Sequence, residues 1–255
     1  FTLDFVGRLF TDSVELHGDC LFADDGAIVG GIGRFRGREV VVVGHQRGRS
    51  TQERMFRNFG MANPEGNRKA QKLFRLAEKF SLPVLNFVDT QGAFPGLEAE
   101  ERGQAEAIAK CLYVLAELNT PIISTVIGEG GSGGALALGV CDRLLMLENA
   151  IYSVITPEGC ASILWGKNES DANIVELAAQ AADFLKLDAA SLFKGGIVDE
   201  LIAEPQGGAH RDHDATAVAV GNAIEKHLVE LQKMSIPELR DARYAKYRAI
   251  GKVEI

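Results

Sequence analysis

An α/β fold built on a largely parallel sheet follows from three observations on this sequence. The apolar runs Val40–Gly44, Val84–Val88 and Ile122–Ile127 are continuous rather than alternating, as in strands buried on both faces. They recur at similar intervals. Between them lie helical stripes, with Ala70, Leu73, Phe74, Ala77 and Phe80 within Asn67–Phe80, and Ala105, Ile108, Ala109, Leu112 and Leu115 within Glu98–Leu118. Strand and helix in alternation need crossover connections, which make neighbouring strands parallel.

Ahead of the first crossover, Ala27–Phe35 and Arg38–Val43 flank Arg36-Gly37, a pair suited to a tight turn between antiparallel strands. The unit therefore reads strand, strand, helix. Further short strands are expected at Arg143–Leu147 and Ile151–Ile155, and amphipathic helices at Asn173–Lys186 and Asp214–Gln232. The charged, Tyr-containing tail Ile236–Ile255 reads as an extending helix rather than a second core. No linker divides the chain, so one domain over residues 1–255 is expected.

A chain of 255 residues, 46% hydrophobic and 24% charged, can bury a sizeable core. Its formal charge of −8 argues against general nucleic-acid or anionic-membrane binding, while leaving room for a local basic patch. Cys20, Cys111, Cys141 and Cys160 are isolated, with neither CxxC nor paired His spacing, so neither a zinc site nor a disulfide framework is suggested. A reduced, cytoplasmic setting is the expectation. No apolar run approaches the roughly 20 residues of a membrane span. The start at Phe1, without Met or a signal-peptide pattern, leads to the expectation that an N-terminal segment is missing.

The chemistry concentrates in Pro121–Cys141, where an apolar strand enters Gly128-Glu129-Gly130-Gly131-Ser132-Gly133-Gly134 and then a helix-like run. Glycines there allow positive φ and a close ligand approach, and the first amides of the following helix have no internal partner. Oxyanion or phosphate stabilisation by backbone N–H groups is one reading. Gly130–Gly134 also spells the G-x-S-x-G nucleophile elbow, for which His210, His213 and His227 are available as partners beside Asp212 and Asp214. A packing turn without a ligand is the third.

A second loop, Asp89-Thr90-Gln91-Gly92-Ala93-Phe94-Pro95-Gly96, follows the next strand and precedes Glu98, Glu100 and Glu101. Sites in parallel sheets gather at strand carboxyl ends, so the two loops would share one pocket. The alternative is a turn held by Pro95. His45-Gln46-Arg47-Gly48-Arg49, with Arg54 and Arg57, offers phosphate contacts or simply a solvated, ion-paired surface. Glu158 could be a general acid or base if buried near the pocket, or only part of a Pro-Glu-Gly helix start. Trp165 reads as core or interface.

Taken together, Gly44–Arg49, Arg57–Met61, Asp89–Gly96, Ala99–Gln104, Ile127–Ala137, Pro157–Trp165 and Pro205–Arg211 make the chain resemble the alpha-subunit family of the bacterial and plastid-type acetyl-CoA carboxylase carboxyltransferase, over nearly its whole length. Gln91 stands where that family usually has Pro, and Gly166–Asn173 departs from its pattern. The resemblance implies the crotonase fold, a superhelix of strand-strand-helix units. It also implies a carboxyl transfer from carboxybiotin, delivered by the biotin carboxyl carrier protein, to acetyl-CoA, giving malonyl-CoA at the first committed step of fatty acid biosynthesis.

By the same resemblance, activity requires a beta subunit in an α2β2 heterotetramer, with biotin carboxylase and its ATP chemistry at the level of the whole complex. Zinc and most of the coenzyme A thioester site belong to beta, so no metal is expected in this chain. The Gly133 and Gly134 amides would form the oxyanion hole for carboxybiotin, with Gly130, Gly131, Gly92, Ala93, Phe94, Gly96, Arg47 and Arg49 as substrate-binding residues. Ser132 would then only shape the turn. A crotonase-type hydratase or isomerase using Glu158, and a serine hydrolase, are the competing enzyme classes.

Overall fold

The computed structural model describes residues 1–165 and 171–251; positions 166–170, within the divergent Gly166–Asn173 segment, and the last four of the tail lie outside the described residues. The strands are β1 (Phe10–Glu15), β2 (Ile28–Phe35), β3 (Arg38–His45), β4 (Val84–Thr90), β5 (Ile122–Gly131), β6 (Arg143–Leu147), β7 (Ile151–Ser153) and β8 (Glu200–Ile202). The helices are α1 (Thr2–Leu9), α2 (Thr51–Phe56), α3 (Pro64–Lys79), α4 (Leu97–Glu101), α5 (Gln104–Glu117), α6 (Ser132–Gly139), α7 (Pro157–Trp165), α8 (Asp171–Leu185), α9 (Ala189–Lys194), α10 (His213–Leu231) and α11 (Ile236–Ala249).

The strands form one sheet in the order β1-β2-β3-β4-β5-β6-β8, with β7 paired to β5 beyond the main ladder. Pairing is antiparallel through β1, β2 and β3, and parallel from β3 onwards. The β2–β3 turn is the one expected: Arg36 and Gly37 have φ of 46° and 82°, as a two-residue turn matching strand twist requires. Thus β2-β3-α3 and β6-β7-α7 are strand-strand-helix units, while β4 and β5 each pass to helices without a partner hairpin.

The three apolar runs became the central strands, and β4 is buried along its entire length. Alternation of side chains fixes which helices cover which face. Gly30 faces Leu73 of α3, whereas Gly44 faces Thr2 of α1. Helices α3, α5 and α6 therefore cover one face, and α1 and α10 the other. Val40–Val43, Leu73, Phe74, Phe87, Leu115 and Leu138 belong to one continuous buried cluster. A small separate cluster joins α7 and α8 through Ala161, Ala178 and Ala181, against which Trp165 packs.

Three expectations need correction. The single helix over Glu98–Leu118 is two, because Gly103 at φ 81° ends α4 and caps α5. The second strand expected at Ile151–Ile155 stops at Ser153. The tail does not simply extend: α11 docks through Arg243, whose guanidinium donates to Asp142 at 2.8 and 3.0 Å and to the carbonyls of Leu115, Leu118 and Thr120. Tyr247 adds a bond accepted from the Cys141 amide at 2.8 Å. The charges in the tail sequence concealed a buried anchor.

Candidate active site at the carboxyl ends of β4 and β5

The two glycine-rich loops leave adjacent parallel strands at their carboxyl ends, and Thr90 pairs with Gly130. They touch through bare backbone. A Cβ on Gly131 would collide with the Gln91 carbonyl group, and one on Gly134 would lie 2.5 Å from Ala93 N and 2.8 Å from Gly92 O. Only glycine permits this approach. Gly130 lies against the ring of Tyr152 and is equally without room. Gly133 differs, since its Cβ would meet only the Ile108 side chain at 3.6 Å.

Positive φ, which the sequence assigned to the glycines, falls instead on Ser132, at 54°. That residue makes the sharp change from β5 to α6, and its side chain is exposed. No side chain caps α6, whose N-cap is Gly131. The first amides of the helix, including those of Gly133 and Gly134, thus have no intrahelical acceptor and sit at the positive end of the helix dipole.

The neighbouring loop is held from within. Gly92 N donates to Thr90 Oγ1 at 3.1 Å, while Thr90 Oγ1 donates to Gly92 O at 2.7 Å. Phe94 N donates to Ala62 O at 2.9 Å. The buried Gln104 side chain then ties Ala62 O and Phe94 O together. The Gly92 amide is thus used within the loop and the Phe94 amide on Ala62 beneath it, and Gly92, Ala93, Phe94 and Gly96 form a wall rather than a row of donors. At Gly96 a Cβ would run into the Phe94 ring, so this turn also depends on glycine.

Arg47 Nη2 donates to Glu129 at 2.7 Å, and its Nε lies 3.6 Å from Asp89, whose backbone-facing oxygen accepts the Glu129 amide. Burial holds the Asp89 carboxyl above the usual range. Arg49 donates to both oxygens of Asp4 at 2.8 and 2.7 Å. Both arginines line a cleft of about 740 Å³ with Asp89, Glu129, His210 and His213. Their carboxylate partners make the ion-paired reading of this basic segment the one the geometry favours.

The elbow reading fails on its partners. His210 and His213 line that cleft, whereas Ser132 does not. His227 lies 2.8 Å from Glu200 across β8 and α10. His17 is exposed, and His45 is fully buried with no hydrogen-bond partner for either ring nitrogen among the described residues. Glu158 begins α7, is exposed, and does not line the cleft, which removes the burial a general base there would need. Sequence reasoning had given no role to His45, Asp89, Thr90, Gln104 or Tyr152; the first four stood within the quoted motifs, but only their burial and contacts reveal what they do. Among the described residues no group of three or more His, Cys, Asp or Glu side chains could hold a metal ion.

Comparison with known proteins agrees with this geometry. Residues 1–251 match the family model described as acetyl co-enzyme A carboxylase carboxyltransferase-like. The chain is 57% identical over 251 residues to the acetyl-coenzyme A carboxylase carboxyl transferase subunit alpha of Thiobacillus denitrificans, covering 98% of this chain and 76% of that one. It is 54% identical over 252 residues to the subunit of the same name from Geobacter metallireducens, covering 99% and 77%. Among solved structures, the transcarboxylase 12S subunit superposes with a TM-score of 0.70 at 23% identity, over 89% of this chain and 41% of that one. The geranyl-CoA carboxylase beta subunit of P. aeruginosa does so at 0.67 and 19%, over 88% and 41%. These last two establish the shared crotonase-like fold. On the match of its residues 1–251, with more than half of its positions identical to such subunits, the chain belongs to the acetyl-coenzyme A carboxylase carboxyltransferase alpha-subunit family.

Proposed function

We propose that this chain is the carboxybiotin-binding half of a two-subunit carboxyltransferase that makes malonyl-CoA from acetyl-CoA for fatty acid synthesis. The observation that carries the site assignment is the uncapped amino end of α6, pressed by Gly134 against Gly92-Ala93. The residues fit the group: the amides of Gly133 and Gly134 have no intrahelical acceptor, and glycines at 131 and 134 let the backbones of the two loops meet around them. Carboxybiotin, when bound, supplies the carboxyl group and leaves negative charge on its ureido oxygen.

The chain's own part is electrostatic and positional. Gly133 N–H and Gly134 N–H would face the developing oxyanion, where fixed donors need no reorganisation. The helix dipole adds to the same field. Thr90, Gln104 and the glycine contacts hold the opposite wall, which would help to position a bound biotin ring. No side-chain acid or base of this chain is required on this reading, consistent with Glu158 being exposed and off the cleft and with Ser132 not sharing the cleft of His210 and His213. The thioester pocket and a zinc site belong, on this reading, to a beta subunit, with a biotin carboxyl carrier protein as the third partner. Among the described residues no helix is long and apolar enough to cross a membrane. From the family reading alone, we assign the complex to the cytoplasm.

The test is carboxyl transfer from malonyl-CoA to a free biotin derivative, measured for the chain alone, the cognate beta subunit alone and an equimolar mixture. Activity confined to the mixture is expected. Turnover of a CoA thioester by this chain alone would overturn the proposal and return the hydratase or hydrolase class.

A further inference from the structure

The ladder between β4 and β5 runs in register from Val84 opposite Ile122 to Val88 opposite Val126, and resumes with Thr90 opposite Gly130. A step of two residues on β4 thus faces a step of four on β5, and Asp89 alone stands against Ile127, Gly128 and Glu129. This is a bulge in β5, placed just before the glycine loop, and bulges re-aim a strand beside a site. The Asp89 side chain is buried, and its Oδ1 accepts the Glu129 N–H at 3.2 Å. A Cβ on Gly128 would lie 2.7 Å from that same oxygen, so the glycine leaves the carboxylate its path to the amide.

A buried carboxylate is costly unless it is paired and bonded. Asp89 has the Glu129 amide as donor and Arg47 Nε at 3.6 Å as counter-charge. The same arginine holds the Glu129 carboxylate at 2.7 Å. Glu129 is therefore gripped twice, by its main chain from β4 and by its side chain from the segment after β3. Beyond it, Gly130 pairs with Thr90, Gly131 lies against the Gln91 carbonyl, and Ser132 makes the turn at φ 54°. Only these three residues separate the gripped amide from Gly133.

We propose that Asp89 is a positioning residue for carboxyl transfer: its carboxylate fills the bulge in β5, holds the Glu129 amide, and so sets the course of the chain into the Gly133 and Gly134 amides. The inference rests on the oxyanion-hole reading of those amides. Asp89 acts through the Glu129 peptide. A misplacement of about 1 Å at such donors costs on the order of 100-fold in rate.

The experiment compares three variants with wild type, each assembled with the cognate beta subunit. Asp89→Leu keeps the bulk of the side chain and removes the acceptor, Asp89→Asn keeps an acceptor oxygen without the charge, and Gly128→Ala pushes the carboxylate off the amide. Gly134→Ala is the control on the site. The readouts are kcat and KM for malonyl-CoA with a free biotin derivative, melting temperature, and hydrogen exchange at the Glu129 amide. Asp89→Leu and Gly128→Ala are expected to stay folded, keep the wild-type KM, lose on the order of 100-fold in kcat and exchange faster at Glu129. Asp89→Asn recovers most of that loss. Wild-type kcat in Asp89→Leu with Gly134→Ala inactive would overturn the proposal and leave the site assignment standing. A raised KM at unchanged kcat would make Asp89 a substrate contact, and an Asp89→Asn enzyme as impaired as Asp89→Leu would show that charge matters rather than the acceptor; either result overturns the proposal. Wild-type kcat in Gly134→Ala would remove the site assignment and this proposal with it. Should Asp89→Leu not fold, the other two decide: an active Asp89→Asn beside a folded, slow Gly128→Ala supports the proposal, and a Gly128→Ala enzyme with wild-type kcat overturns it.

Discussion

Replacing Gly134 by alanine is the sharpest perturbation of the proposed oxyanion hole. The new Cβ would sit 2.5 Å from Ala93 N and 2.8 Å from Gly92 O, both main-chain atoms that no side-chain rotation can clear. Ordinary Cβ contacts begin near 3.4 Å, so the two loops must part by roughly 1 Å, a displacement able to cost on the order of 100-fold in rate. Losing one aligned donor altogether costs about 2.7–4 kcal/mol in the transition state. Overpacking should also lower stability by about 1–3 kcal/mol, which leaves a folded protein. At Gly133 the built Cβ points towards Ile108 at 3.6 Å, an ordinary contact, so Gly133→Ala should keep wild-type kcat within a few-fold. The assay is transfer from malonyl-CoA to a biotin derivative in the assembled complex, with melting temperature as the folding control. A folded Gly134→Ala enzyme with wild-type kcat would refute the reasoning, as would equal losses at both glycines.

Ser132→Ala should retain carboxyl transfer, because the serine hydroxyl has no assigned role; a folded but inactive variant would restore the nucleophile reading. Ser132→Gly should raise the melting temperature, since it relieves a positive φ that costs roughly 1 kcal/mol in a non-glycine residue, and an unchanged or lower value would count against that strain. Arg243→Leu leaves the buried Asp142 carboxylate without its cation and should cost about 3–5 kcal/mol in denaturant unfolding, with Asp142→Asn in the same chain recovering part of it; a loss under 1 kcal/mol would show that α11 is not anchored there. Asp25 has its pKa raised to about 6 mainly by burial, so its ionised form is disfavoured in the native state. Its stabilising contribution is complete below the unfolded value of 3.8 and is lost as pH rises through about 6, a change of about 3 kcal/mol. Asp25→Asn should therefore gain stability relative to wild type between pH 4 and pH 7.5, and a pH-independent difference in unfolding free energy would exclude this.

Legibility followed the range of the interactions. The runs that became β3, β4 and β5 carried their burial in composition, and Arg36-Gly37 carried its turn in local conformational preference. Residues 1–26 gave no such signal, because β1 is buried only at Phe10 and is exposed along the rest of its length, and α1 takes its place from packing on the sheet. At the site, the G-x-S-x-G letters suit an amide cradle and an elbow equally. What separates them is that His210 and His213 line a cleft that Ser132 does not.

The sequence by itself determined the alternation of buried strands and helices, the two glycine loops at strand ends, and the family to which they belong, because apolar periodicity and glycine placement are properties of short stretches. Only the tertiary structure decided that Ser132 rather than a glycine takes positive φ, that Gly134 has no room where Gly133 has some, that Arg47 is held by Glu129 and Asp89, and that Arg243 reaches Asp142 across 101 positions. Each of these depends on where a distant backbone or charge comes to rest, and distance along the chain carries no record of that.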